Sequence, residues 1–146
     1  MQVRFSLFRV GLTLALAALA TSAHACRCVE PVPPASAYRH ASAVVKARVV
    51  DVQVNAAEQS ATARLTVSQH WKRGTAAEID VFTDSNCAYP FEVGREYVLF
   101  LLKDRPLPGY VSARCMGNQP VEGTRADAVL RWLRQRGEVK SAVPAQ

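Results

Sequence analysis

Cys26, Arg27 and Cys28 form the stretch of this 146-residue chain whose residue types and position could do chemistry. Just upstream, Ala23-His24-Ala25 follows an apolar run from Val10 to Leu19, and Arg4 and Arg9 precede that run with no acidic residue nearby. A basic n-region, an apolar h-region and an A-x-A site in that order predict a secretory signal peptide over residues 1–25. Cleavage after Ala25 makes Cys26 the first residue of the mature chain and leaves a free α-amine, a carbonyl and a thiol on one residue. An α-amine titrates near ~8, so a useful fraction is unprotonated at neutral pH and can donate a lone pair. Amine nitrogen and carbonyl oxygen of one residue close a five-membered chelate on a metal, and a catalytic zinc keeps a coordination position open. A disulfide on the same residue would hold that chelate rigid and lower the entropic cost of presenting it.

All four cysteines, Cys26, Cys28, Cys87 and Cys115, lie after the signal. An even count in an exported chain reads as two disulfides. Of the three pairings, Cys26 with Cys28 closes a ring that backbone geometry disfavours. Two pairings remain, and each ties the N-terminal segment to two distant points. Loops of that size contribute about 4 kcal/mol each in the chain-entropy model.

Elsewhere the chain offers little for catalysis, and no enzyme activity and no cofactor are expected. The mature part holds two histidines, His40 in a turn region and His70 on the polar face of a strand, both expected to be exposed. No phosphate loop, nucleophile elbow or H-x-x-x-H spacing occurs. Oxidation would consume any thiol nucleophile and disfavours metal storage by the C-x-C pair. The bulky His24 and the missing leucine before Cys26 argue against lipidation. Losing the signal removes two arginines and lowers the net charge from +6 to +4, too little to argue for nucleic acid. The apolar run of the signal is too short for a bilayer, so no membrane span is expected. A monomer is expected.

The elements that must position the cysteines follow from periodicity. Removing 25 of 146 residues leaves 121, enough for one modest domain over residues 26–137, with 138–146 as a disordered tail. Cys26 to Pro34 is Pro-rich and should run extended; residues 35–43 form a short helix or turn. Val44 to Val54 reads as a strand in which Val45, Ala47 and Val49 share one phase and Val50, Val52 and Val54 the other. That phase change predicts a bulge or bend. Ala61 to Trp71 alternates, placing Ala63, Leu65, Val67 and Trp71 on the core face. Glu78–Thr83 is a shorter strand, Glu96–Leu102 is apolar on both faces and central, and Tyr110–Arg114 delivers Cys115. Thr124 is the expected N-cap of a final helix with Ala126, Val129, Leu130 and Leu133 as its apolar stripe, and Gly137 its stop. Five strands and a flanking helix predict a mainly β fold, a five-stranded Greek-key barrel of the OB type with a C-terminal flanking helix and two disulfides.

The chain resembles the netrin-like domain family, in particular the N-terminal domain of the tissue inhibitors of metalloproteinases and its bacterial members. The matching features are the mature-terminal C-x-C, the Pro-rich segment, the Val-rich strand, Trp71-Lys72, Ser85-Asn86-Cys87 and Cys115. The resemblance covers essentially the whole mature chain and implies pairing of Cys26 with Cys87 and of Cys28 with Cys115. It further implies a secreted or periplasmic inhibitor of a zinc metalloprotease, with Cys26 on the protease's zinc and Arg27 in its primed-side pocket. Val29 would extend the wedge past Cys28, and Ser85 and Asn86 would lie beside it. Arg27 stands where the family usually has Thr or Ser, no cysteine occurs near Tyr38 where a third bridge is expected, and no counterpart of the animal inhibitors' C-terminal subdomain is read. The alternative is a non-inhibitory, disulfide-stapled module that docks on an exported protein or an envelope polymer.

Overall fold

Two thirteen-residue strands, β1 (Ala43–Asn55) and β2 (Ser60–Lys72), pair antiparallel along their whole length and form the spine of the fold. The computed structural model describes residues 26–28, 31–104 and 108–138. The segment read as a signal peptide, Val29 and residues 139–146 of the tail lie outside the described residues. Helix α1 (Pro34–His40) precedes β1, β3 (Glu78–Asp84) follows β2, and β4 (Glu96–Leu101) pairs with the first half of β1. Two-residue strands β5 (Tyr110–Val111) and β6 (Gln119–Pro120) and helix α2 (Thr124–Arg134) complete the order.

The sheet order is β5-β3-β2-β1-β4-β6, with β5 parallel to β3 and all other pairs antiparallel. The sheet closes on itself where Leu102, just past β4, exchanges both backbone hydrogen bonds with Val111 of β5, at 3.1 and 2.8 Å. The ring β1-β2-β3-β5-β4 is the expected five-stranded OB-type barrel.

Its interior holds Ala43, Val45, Ala47 and Val49 of β1, Leu65 of β2 and Val81 of β3. Tyr97, Leu99 and Leu101 of β4 close it from the far side. The outer face of β1 and β4 is not left to water: Val44, Val98 and Phe100 pack with Trp71 beneath Ala37 of α1 and Val129 and Leu133 of α2. Burial on both faces is why β4 is a continuous apolar run.

The phase change in β1 is a bulge. Val49 lies opposite Leu65 and Asp51 opposite Arg64, so Val50 has no β2 partner. Beyond it β1 leaves the barrel: Val52 still packs on the core, but Val50 and Val54 are exposed.

β2 departs from the strict alternation expected of it. Its register against β1 jumps twice more, leaving Ser68 and then Trp71 as extra residues. His70 therefore lies opposite Val45 and is buried at 8 % exposure instead of exposed, and Trp71 joins the helix-covered cluster instead of the barrel interior with Leu65. His40 is exposed as expected, at the end of α1.

Three boundaries also differ. Gly123, at φ 135°, is the N-cap of α2, and Thr124 is its first helical residue with no side-chain cap. β5 stops at Val111, and Arg114–Met116 form a 3-10 turn. β6 was not foreseen, because two residues beside Pro120 carry no periodicity. No helix among the described residues is long and apolar enough to cross a membrane.

Candidate functional site

The residues singled out around Cys26 converge on one end of the barrel. β3 ends at Asp84, and the chain reverses through Ser85, whose φ of 61° lies in the left-handed region. Ala88 N–H donates to the Ser85 carbonyl at 3.1 Å and Cys87 N–H to Ser85 Oγ at 3.4 Å, so the turn is held by its own first residue. Tyr89 N–H then donates to Oγ1 of the buried Thr83 at 2.7 Å, which anchors the turn's far side to β3.

A second loop lies against the first. Ser112 N–H donates to the Phe82 carbonyl, after which the chain enters the 3-10 turn that carries Cys115. Arg114 ties the two loops together twice: its backbone N–H donates to the Cys87 carbonyl at 3.0 Å and its Nε to the Ala88 carbonyl at 2.9 Å. The turn ends at Gly117, at φ 88°, where a Cβ would meet the Ala37 Cβ at 2.9 Å; only glycine fits both the backbone and the space.

Asn118 fastens this turn to the barrel. Its Oδ1 accepts from Phe100 N–H at 2.8 Å, and its Nδ2 donates to Ser112 Oγ at 2.7 Å and the Ala113 carbonyl at 3.1 Å. Both Asn118 and Ser112 are buried, so each bond replaces one that water cannot supply.

Onto these two loops the N-terminal segment is bonded covalently. Cys26 pairs with Cys87 and Cys28 with Cys115, with Cα separations of 5.0 and 5.4 Å, and no cysteine is free. The bridges touch each other: Sγ of Cys26 is 3.9 Å from Sγ of Cys115. Two adjacent bridges, 61 and 87 residues apart in sequence, thus hold three consecutive residues.

Arg27 lies exposed between the clamped cysteines, as do Ser85 and Asn86 beside Cys87. The structure therefore brings Cys26, Arg27, Cys28, Ser85 and the Cys87 turn together. An open groove of about 320 Å³ runs along the Cys28–Cys115 bridge, lined by Pro31, Val32, Arg114, Gln119 and Arg125. On the other side of Cys115 is a smaller apolar hollow of about 200 Å³ between α1 and β4, with Phe100, Leu102 and Met116 in its wall. No group of three or more His, Cys, Asp or Glu side chains among the described residues is placed to hold a metal.

Reading the sequence missed Arg114 and Asn118. Arg114 acts mostly through its backbone and a carbonyl contact, which no side-chain pattern announces. Asn118 follows a glycine and would pass for a turn residue; only the folded chain shows that its amide is buried.

No protein-family model matches the chain, and no curated protein matches it.

Proposed function

We propose that the exported, mature protein is an inhibitor of zinc metalloendopeptidases, acting through the free amine and carbonyl of an N-terminal Cys26. The observation that carries this reading is the double clamp. Residues 26–28 are fixed by two bridges onto two loops that Arg114 ties to each other and Asn118 fastens to the barrel. Such a segment loses little further freedom when it docks, so more of its contact energy appears as affinity. Amine and carbonyl fill the open position of the target's zinc, Arg27 enters the pocket beyond it, and Val29, Ser85 and Asn86 border the contact. The resemblance of the Cys26-Arg27-Cys28 and Ser85-Asn86-Cys87 motifs to the metalloproteinase inhibitors supports the same reading, as does the pairing of their cysteines.

A second reading, a docking module for an exported protein or an anionic envelope polymer, rests on Arg27, Arg114 and Arg125. These cations lie on or beside the clamp, and none is in an ion pair among the described residues. The readings separate on a panel of zinc endopeptidases assayed with the processed protein and with Arg27→Thr. An inhibitor blocks at least one protease of the panel, and the Arg27 substitution changes the order of preference by tenfold or more. A docking module inhibits none, and that result rejects the first reading.

A further inference from the structure

β1 runs on past the strand that flanks it. β4 pairs with β1 only as far as Glu96 opposite Arg48, and the last backbone bonds on that side join Val49 to Arg95 and Gly94. From Val50 to Asn55, β1 is bonded to β2 alone among the described residues, so its other edge presents unpaired N–H and C=O groups. Three of the four large apolar residues exposed in the described chain lie at this edge: Val54 at 73 %, Val93 at 64 % and Val50 at 44 %. Val93 is there because Gly94, the next residue, donates its N–H to the Val49 carbonyl. Protein edges are usually guarded by lysine, proline or short length. Between Val50 and Asn55 the one charge is Asp51, whose carboxylate accepts a bond from Gln53 at 3.4 Å.

We propose that this edge is where two copies of the chain associate, β1 of one copy adding antiparallel to β1 of the other about a twofold axis. Val49 directs both its backbone groups to the β4 side, and Val50 is the extra residue of the bulge. Alternation then turns the groups of Val52 and Val54 to the open edge. An antiparallel pair centred on Gln53 lets Val52 of each copy exchange both hydrogen bonds with Val54 of the other, four bonds in all. In that register Asp51 faces Asn55 and Gln53 faces its own counterpart, so a carboxylate meets an amide and no like charges oppose. Centring the pair on Asp51 would set two carboxylates against each other. The segment is thus complementary to itself, as an isologous contact requires. None of the residues assigned to the Cys26 wedge takes part.

The contact is a strand pair with a few valines, below the roughly 1,200 Å² of stable specific interfaces. Association should therefore depend on concentration, developing between about 10 μM and about 1 mM. The test is sedimentation velocity of the purified, oxidised protein over that range, beside Val54→Lys and Val54→Pro. Proline removes a donor that faces the edge without breaking the β1–β2 ladder. Circular dichroism and thermal melting check that both variants keep the fold. The wild-type dimer fraction is expected to rise with concentration, and both variants to associate at least tenfold more weakly. Amide exchange of the wild type adds a readout free of variants: the Val52 and Val54 amides lose protection on dilution. A wild type that stays monomeric at the top of the range overturns the proposal. So does a dimer that survives in both folded variants, or one in which those two amides exchange alike at all concentrations.

Discussion

Sγ of Cys26 lies 3.9 Å from Sγ of Cys115, although the two belong to different bridges. If a small thiol opens Cys26–Cys87, the freed Cys26 thiolate faces the Cys115 sulfur. With the small thiol left bonded to Cys87, attack there forms Cys26–Cys115 and expels Cys28 as a thiolate, which then displaces the small thiol from Cys87 to form Cys28–Cys87. Substoichiometric thiol at mildly alkaline pH should therefore produce the Cys26–Cys115, Cys28–Cys87 isomer before any species with a Cys26–Cys28 bond. Peptide mapping of acid-quenched samples reads this directly. An early Cys26–Cys28 product would contradict the placement of the two bridges.

Asn118 is the polar fastener between the Cys115 turn and β4. Asn118→Ala leaves Phe100 N–H and Ser112 Oγ without their partner in a buried place. An orphaned buried group costs about 1–3 kcal/mol, so a loss of about 2–4 kcal/mol is expected in urea unfolding. A loss below about 0.5 kcal/mol, the range of ordinary surface substitutions, would mean that the turn is held by the disulfide alone.

His70 gives the fold a pH dependence of definite sign. Burial lowers its pKa from the ordinary value of 6.5, with Glu138 acting in the opposite direction more weakly. Nδ1 of the ring faces the Thr75 N–H at 3.4 Å and the Thr75 hydroxyl at 3.3 Å, which gives the neutral ring polar partners in its buried place. With the folded pKa depressed, the unfolded chain binds the proton first. The stabilising contribution is complete above pH 6.5, declines as the pH falls through the folded pKa, and is then constant. Urea unfolding between pH 8 and pH 5 should show this decline in the wild type and a shallower one in His70→Gln. Parallel curves would contradict it.

The barrel was legible where one periodicity governs a whole segment. Val45, Ala47 and Val49 against Val50, Val52 and Val54 announced the bulge that the register confirms at Val50. The continuous apolar run of β4 announced burial on both faces. β2 misled because its two extra residues, Ser68 and Trp71, sit among residues that alternate plausibly on paper. A bulge changes which side chains meet the core without changing composition, so His70 read as polar surface and is buried. β6 and the capping of α2 escaped for the opposite reason, being one or two residues long and set by tertiary pairing. At the candidate site, residue types and spacing were enough to mark the cysteines, whereas Arg27 and Ser85-Asn86 were marked by the family resemblance. The scaffold behind them was not readable, because Arg114 and Asn118 work through carbonyls and amides that any residue shares.

Moving the Cys26 amine tests whether that amine itself engages a target's zinc. The measurement is the inhibition constant of the protein starting at Cys26 and of a form with one additional alanine in front, both with mapped Cys26–Cys87 and Cys28–Cys115 bridges. The target is an endopeptidase that the first form blocks. Inhibition by the first form and at least a hundredfold weakening in the second are expected, about 2.7 kcal/mol of lost binding. Equal potency of the two forms, or no inhibition of any zinc endopeptidase by a chain shown to begin at an unmodified Cys26, would contradict zinc engagement by that amine.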